Sequence, residues 1–207
     1  TVDGTTMLYR TLGRTGWRVS LLGLGTGGVS QLGQRYELPY EQSARLLRHA
    51  LDQGLNMIDT APSYGDSEER IAFALQGVPR ESYFLSTKFQ PRAEDKHLHT
   101  RQTLRKSLED SLAHLKTDYI DIFYIHGVGP DLYDDIDQEL MPELRKARED
   151  GLIRAIGGSE LYQVDHTHSV AQRAIKDGTY DVLMVGMNLM SPDAFTSVLP
   201  LALEHNI

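Results

Sequence analysis

The sequence predicts an α/β fold in which parallel strands alternate with helices. Short apolar runs alternate with segments of helical periodicity along all 207 residues. After an opening hairpin, six strand–helix units begin about 32 residues apart, near residues 21, 55, 83, 119, 153 and 182. Hydrophobic residues make up 40% of the chain and charged residues 24%, which is typical of a folded protein with a substantial core. An open doubly wound sheet and a (β/α) barrel both satisfy this alternation.

The elements of the first half follow from turn residues and apolar spacing. The runs 8–12 and 17–20 flank the turn segment 13–16 and predict a hairpin. Ala44, Leu47 and Leu51 share one face of a predicted helix. Gly54 can end this helix, because glycine readily adopts the left-handed conformation found after helix C-termini. The predicted strands are 19–24, 55–58 and 83–87, and the predicted helices are 41–53 and 68–75.

The second half continues the same alternation. Thr100 is a suitable N-cap for a helix in which Leu104, Leu108, Leu112 and Leu115 recur on one face. The further predicted strands are 119–125, 153–156 and 182–185, and the predicted helices are 140–147, 170–175 and 194–204, the last with Pro200 as a kink or a boundary. The acid-rich stretch 131–139 predicts an exposed loop and the start of a helix. Because no low-complexity linker divides the chain, we expect one domain.

Composition excludes several classes of function. Lys and Arg total 21 against 29 Asp and Glu, so the net charge of −8 disfavours a nucleic-acid partner. The chain contains no cysteine, which excludes disulfides and thiolate catalysis. No apolar run approaches the roughly 20 residues that span a membrane, and the first residues lack a signal-peptide pattern. We therefore expect a soluble, cytoplasmic protein with no membrane partner.

A glycine-rich segment follows the first predicted strand of the sheet. Gly23, Gly25 and Gly28 satisfy the pattern G-x-G-x-x-G, which binds dinucleotides when the loop opens directly into a helix. A loop-like segment with Gly33 and Pro39 follows instead. A tight turn at a strand end, where glycine lets a ligand approach the backbone, is therefore the favoured interpretation.

Three polar side chains stand at the ends of predicted strands, and a tyrosine follows the first of them. These candidate residues are Asp59, Tyr64, Lys88 and His126. Taken singly, each is explained by a turn, a cap or a snorkelling side chain. Together they form a unit for proton transfer to a carbonyl: the phenol as acid, an ammonium that favours phenolate, a carboxylate that fixes the ammonium, and an imidazole that orients the substrate. Parallel strands bring such groups to one edge of the sheet.

These residues belong to a series of motifs, in order, that resembles the aldo-keto reductase superfamily, in particular bacterial and plant sugar or pyridoxal dehydrogenase-like members. The matching segments are 9–16 (YRTLGRTG), 23–26 (GLGT), 59–65 (DTAPSYG), 86–89 (STKF), 118–126 (DYIDIFYIH) and 151–157 (GLIRAIG). The resemblance implies a (β/α)8 TIM barrel with an N-terminal β-hairpin, here without its last two βα units. Eight units of this length need about 270 residues. We therefore expect residues 1–207 to be a single barrel domain, incomplete at its C-terminal end.

The resemblance also implies a nicotinamide cofactor, NADP or NAD, bound across the mouth of the barrel. It assigns the catalytic tetrad to Asp59, Tyr64, Lys88 and His126, with Tyr64 as general acid. The residues it brings to the cofactor are Gly25, Thr26, Gly27, Ser159, Glu160 and Met184. Two of these depart from the family pattern, since Glu160 stands where an Asn follows the Ser and Met184 stands where a Gln is common.

The function expected from these residues is an NAD(P)-dependent oxidoreductase that interconverts a carbonyl, such as an aldehyde, ketone or sugar lactone or aldose, and an alcohol. The alternatives are a non-catalytic subunit that senses the cofactor or mediates an interaction, or an inactive truncated form. No metal site is expected. The pairs His97 with His99 and His166 with His168 lack further ligands and are interpreted as solvated loop histidines.

Overall fold

The N-terminal hairpin is present as the sequence predicts. The structure is a computed structural model that describes residues 7–207. Strands β1 (Tyr9–Leu12) and β2 (Trp17–Ser20) pair antiparallel around a short 3-10 turn, Gly13–Thr15. Asn56 ties the hairpin to the main sheet, because its side chain accepts the Ser20 N–H at 2.7 Å while the Ser20 hydroxyl accepts the Asn56 N–H at 3.0 Å.

Six parallel strands form the main sheet. They are β3 (Leu24–Gly25), β4 (Met57–Asp59), β5 (Phe84–Phe89), β6 (Ile120–Val128), β7 (Ile153–Glu160) and β8 (Val182–Met184). Their order in the sheet is their order in the chain. In a doubly wound sheet, the order of the strands reverses at a switch point. The consecutive order seen here therefore excludes a doubly wound sheet. The sheet curls into a half-barrel, which confirms the predicted fold class.

Helices connect the strands on the outer side of the sheet. They are α1 (Tyr40–Asp52), α2 (Ser67–Ala74), α3 (Arg101–Leu115), α4 (Tyr133–Glu139), α5 (Met141–Glu149), α6 (Ser169–Asp177), α7 (Asp193–Ser197) and α8 (Leu199–Glu204). Short 3-10 helices occur at Gln31–Tyr36 and Arg80–Ser82. Within residues 7–207, no helix is long and apolar enough to cross a membrane.

Several bounds differ from the sequence prediction. Strand β3 is shorter because 17–20 pair in the hairpin, while β5, β6 and β7 extend past the predicted ends and include Lys88, His126 and Ser159. The acid-rich stretch forms helix α4, since Tyr133 and Ile136 are buried on one of its faces. Pro200 marks a boundary between α7 and α8, as its ring favours the first turn of a helix.

The loop after β3 rules out the Rossmann alternative. It passes through the 3-10 helix Gln31–Tyr36, and α1 begins only at Tyr40. A dinucleotide fingerprint needs a helix that starts directly after its last glycine, so that the helix amides face the pyrophosphate. The interpretation of Gly23, Gly25 and Gly28 as such a fingerprint is therefore wrong.

The two faces of the sheet are packed differently. The outer face carries the main core, in which Leu85, Phe123 and Ile125 pack against helix residues such as Leu104 and Leu108. Each such side chain contributes about 1.5–3 kcal/mol when it is fully buried.

The concave face has a smaller apolar cluster, Ile122, Tyr124, Ala155 and Val182, covered by Leu12 and Trp17 of the hairpin. The hairpin lies against the N-terminal ends of the strands. The polar residues of the concave face therefore stand at the opposite, carboxyl end.

Candidate active site

Strand alternation aims the candidate residues at the concave face. Asp59 on β4 pairs in register with Ser86 on β5, and Lys88 pairs with Tyr124 on β6. Successive side chains on a strand point to opposite faces, so Ser86 and Lys88 lie on one face while their neighbours Leu85 and Phe89 join the outer core. His126 lies two residues after Tyr124 on the same face of β6.

Lys88 and Asp59 form a buried ion pair. The Lys88 ammonium donates to Asp59 Oδ2 at 2.6 Å and to the Thr60 carbonyl oxygen at 2.7 Å, and the Ser86 hydroxyl donates to Asp59 Oδ1 at 2.7 Å. The Lys88 side chain is 1% exposed and that of Asp59 20%. These bonds fix the ammonium in one position on the concave face.

Tyr64 stands on the β4–α2 loop, which Gln34 holds in place. The Gln34 amide nitrogen donates to the carbonyl oxygen of Tyr64 at 2.9 Å and to the Ser67 hydroxyl at 2.8 Å, while its carbonyl oxygen accepts the Asp66 N–H at 2.9 Å. Gly65 has φ of +64°, and a Cβ there would lie 2.1 Å from the Gln34 oxygen. No local sequence pattern marks Gln34, since its role depends on contacts about 30 residues away in the chain.

The Tyr64 ring meets the other candidate residues. The Lys88 ammonium lies 4.9 Å from the centroid of the ring, and the His126 ring packs edge-on to it with centroids 6.2 Å apart. Gly27, which follows β3, packs closely against the ring: a Cβ on Gly27 would lie only 2.4 Å from the Cζ atom of Tyr64. The structure thus brings Asp59, Tyr64, Lys88 and His126 together at one mouth of the curled sheet.

Burial controls the acidities of these groups. Burial, reinforced by the Asp59 charge, raises the pKa of Tyr64 above its ordinary value. Burial also lowers the pKa of Lys88, against the opposing effect of Asp59. The pKa of His126 is lowered by burial and by the Lys88 charge, so its imidazole is neutral at pH 7. The sequence led us to expect that the ammonium would lower the pKa of Tyr64, whereas burial and the Asp59 charge raise it.

The β3 loop leaves room for a ligand beside the tetrad. The backbone N–H and the hydroxyl of Thr26 both donate to the Asp59 carbonyl oxygen, at 3.0 and 3.1 Å, and Thr26 is buried. A Cβ on Gly25 would meet no atom within 4 Å, so a flat ring could approach the backbone there. Gly25, Thr26 and Gly27 therefore form a cradle next to Tyr64.

The residues predicted to contact the cofactor on β7 and β8 fall into two groups. Ser159 and Met184 pair in register, and Met184 packs with the concave cluster. Ser159 is 7% exposed, and its hydroxyl makes no hydrogen bond within residues 7–207. Glu160 instead lies against the N-terminal end of α6, where it is bonded to His168. The structure therefore does not bring the Glu160 carboxylate to the concave face.

His168 corrects another expectation from the sequence. It is fully buried and its Nδ1 lies 2.8 Å from Glu160 Oε2, whereas His166 is exposed. The interpretation of His168 as a solvated loop histidine is wrong, because Glu160 lies eight residues upstream and pairs with it across the loop.

A cavity of about 390 Å³ opens beside the tetrad. It is lined by Ala61, Pro62, Lys88, Phe89, His99 and His126. Its size is in the range of small-molecule sites. The Lys88 ammonium and the His126 imidazole face this volume, and the Tyr64 ring packs against both of them. This arrangement suits proton transfer to or from an oxygen.

The comparisons with known proteins point to one family. The model of the aldo/keto reductase family matches residues 21–207. The chain is 34% identical over 185 residues to L-galactose dehydrogenase from Arabidopsis thaliana, with 87% of this chain and 56% of that protein covered. It is also 34% identical over 210 residues to the aldo-keto reductase YhdN from Bacillus subtilis, with 97% of this chain and 60% of the relative covered.

A solved structure gives the same result. The thermostable aldo-keto reductase Tm1743, crystallised with the inhibitor epalrestat, superposes with a TM-score of 0.78 at 31% identity, covering 97% of this chain and 70% of that one. The half-barrel and its mouth thus have the architecture of an aldo-keto reductase. The chain belongs to the aldo/keto reductase family. It spans less than two thirds of the length of the two curated relatives named above.

Proposed function

We propose that the protein is a nicotinamide-dependent oxidoreductase that interconverts a carbonyl and an alcohol. The observation that carries the proposal is the convergence of Tyr64, Lys88, Asp59 and His126 at one mouth of the sheet. The relative named L-galactose dehydrogenase supports a sugar or a similar polyol or aldehyde as substrate.

The residues at the mouth fit a nicotinamide cofactor. On β3, the backbone at Gly25 is open and Gly27 packs on the Tyr64 ring. On β7, the Ser159 hydroxyl has no hydrogen-bond partner within residues 7–207 and can bind a polar group of a ligand. Met184 adds an apolar side chain beside Ser159. Gly25, Thr26, Gly27, Ser159 and Met184 would hold the nicotinamide, either NADP or NAD, and that ring supplies or accepts the hydride.

Each of the four side chains then has its own role in proton transfer. In reduction, the Tyr64 hydroxyl donates its proton to the carbonyl oxygen while the carbonyl carbon becomes a CH–OH centre, and solvent returns a proton to Tyr64. Lys88, fixed by Asp59, stabilises the phenolate that forms. The neutral His126 ring donates an N–H to the substrate oxygen and sets its direction. Oxidation of the alcohol follows the reverse sequence, with Tyr64 as the base.

The test is turnover by the full-length protein and by Tyr64→Phe. We expect the wild-type protein to oxidise NADPH or NADH with aldehydes, ketones or aldoses, followed by absorbance at 340 nm. Loss of the proton donor should lower kcat by about 100-fold or more. Undiminished turnover in Tyr64→Phe would exclude this mechanism. Cofactor binding without turnover in the wild-type protein would favour a sensing subunit.

A further inference from the structure

The last residue of β7 turns its carboxylate away from the concave face. Glu160 Oε1 accepts the Gly186 N–H at 2.6 Å, and His168 Nδ1 lies 3.0 and 2.8 Å from Oε1 and Oε2. The Glu160 side chain is 3% exposed. A carboxylate only accepts hydrogen bonds, so Nδ1 of His168 carries the proton and donates it. Both carboxylate oxygens are thus used inside the protein.

The backbone around His168 is shaped for this contact. His168 precedes α6 with φ of 55°, a left-handed conformation that side chains other than Gly and Asn adopt at a cost. Its side chain is fully buried, and Nε2 has no hydrogen-bond partner within residues 7–207. The Tyr162 ring stacks on the imidazole with centroids 5.6 Å apart and an interplanar angle of 27°. The left-handed backbone and the unpaired buried nitrogen both cost free energy of folding. Such costs are typical of positions where the contact has a functional role.

The contact joins two loops at the mouth. Gly186 lies on the loop after β8, while Tyr162 and His168 lie on the loop after β7. A Cβ on Gly186 would lie 3.0 Å from Tyr162 Cγ, so this ring packs closely on that backbone. Directly before the joined loops stand Ser159 and Met184, side by side in the sheet.

We infer that Glu160 and His168 act as a clamp, named here the Glu160–His168 clamp, which positions the Ser159 hydroxyl and the Met184 side chain for the bound nicotinamide cofactor. Both are positioning residues, since they act through their neighbours. The inference rests on the proposed function for the cofactor itself and assigns a role to two residues that face away from it. Loosening the clamp lets the β7 and β8 loops separate and moves Ser159 away from the polar edge of the ligand.

The test is the dissociation constant of NADPH and NADH, measured by fluorescence on the full-length protein. In Glu160→Gln, the side chain has one acceptor oxygen where the carboxylate has two. Its second polar atom is an NH2 group, which would face the donors of Gly186 or His168. We expect the dissociation constant to rise about tenfold. Because the tetrad is untouched, kcat at saturating cofactor should stay within about threefold of the wild type. The matched control is Glu68→Gln, since Glu68 is also a buried carboxylate beside a histidine, His114, but lies on α2. Its dissociation constant should equal that of the wild type even where stability falls.

A second pair of variants keeps the test decisive if Glu160→Gln does not fold. His168→Asn and His168→Gly both tolerate the left-handed backbone, but only Asn keeps a donor for Glu160. We expect His168→Gly to weaken cofactor binding about tenfold and His168→Asn to restore it to within about twofold. Equal, wild-type dissociation constants for folded Glu160→Gln, or for both His168 variants, would overturn the clamp while leaving the proposed function intact. Failure of the wild-type protein to bind either cofactor would overturn the proposed function and the clamp with it.

Discussion

The two halves of the concave mouth use their polar side chains in opposite ways. On β4 to β6, the carboxylate of Asp59 and the ammonium of Lys88 bond to each other on the concave face. On β7 and β8, the carboxylate of Glu160 bonds to His168 and Gly186 on the loops that follow these strands, and Ser159 faces the mouth without a partner in residues 7–207. The first half is organised before any ligand arrives, as proton transfer requires. The second half keeps one hydroxyl free, as a binding surface requires.

The largest expected effect comes from removing the ammonium of the first half. Lys88→Met leaves the Asp59 carboxylate unpaired, and we expect kcat to fall by about 100-fold or more. The free energy of unfolding should fall by about 2 kcal/mol, less than for a fully buried pair because Asp59 is 20% exposed. Steady-state kinetics and urea unfolding measure the two effects. Lys106→Met, at an exposed lysine paired with Asp110, should leave both unchanged. A fully active Lys88→Met would remove the functional contrast between the halves.

A second variant tests how tightly the β3 loop holds Tyr64. In Gly27→Ala, the new Cβ would lie 2.4 Å from the Tyr64 ring, so the ring must move. Displacements of about 1 Å at a reacting group cost up to about 100-fold in rate, and we expect about 30-fold here. Gly28→Ala is the matched control, since its Cβ would meet no atom within 4 Å. Similar kcat values for the two variants would show that Tyr64 needs no such placement.

Gln34→Ala probes the support behind the same tyrosine. The substitution removes the bonds from the Gln34 side chain to the Tyr64 carbonyl oxygen, the Ser67 hydroxyl and the Asp66 N–H. We expect kcat to fall about tenfold and the free energy of unfolding by about 2 kcal/mol. Gln42→Ala, at an exposed position on α1, should leave both within experimental error. If kcat of Gln34→Ala equals that of the wild type, the loop does not depend on Gln34.

The smallest effect is a pH dependence of stability that comes from His126. The pKa of His126 is lower in the folded protein than its ordinary value of about 6.5, because burial and Lys88 disfavour the imidazolium. The unfolded chain therefore binds more protons as pH falls below about 7, and folding loses stability in that direction. Urea unfolding at pH 7.5 and 5.5 should show a larger loss of stability at the lower pH for the wild type than for His126→Asn. An equal loss of stability in both proteins would show that a group other than His126 is responsible for the pH dependence.

The sequence predicted the first half of the mouth better than the second. Asp59, Lys88 and His126 are polar residues at the ends of apolar strands, a local pattern that places them at one edge of a parallel sheet. Gln34, Glu160 and His168 were missed or misassigned, because their partners lie 8 to 33 residues away and depend on loop conformation.

The acidity of Tyr64 also could not be predicted from the sequence. The pKa of Tyr64 is raised by burial and by the Asp59 charge. The order of the motifs predicts which residues surround Tyr64. The desolvation of its hydroxyl depends instead on how the loop after β4 packs, which the motifs do not predict. The structure therefore changes the expected pH behaviour without changing the residues involved.

The most direct test of the joint action of these residues follows deuterium from NADPH or NADH labelled at C4 of the nicotinamide into the alcohol product in a single turnover. We expect the full-length wild-type protein to place the label on the former carbonyl carbon, observed by mass spectrometry. Tyr64→Phe should do so at least about 100-fold more slowly, with an unchanged cofactor dissociation constant. An unlabelled alcohol, or equal single-turnover rates in the two proteins, would contradict the proposed function.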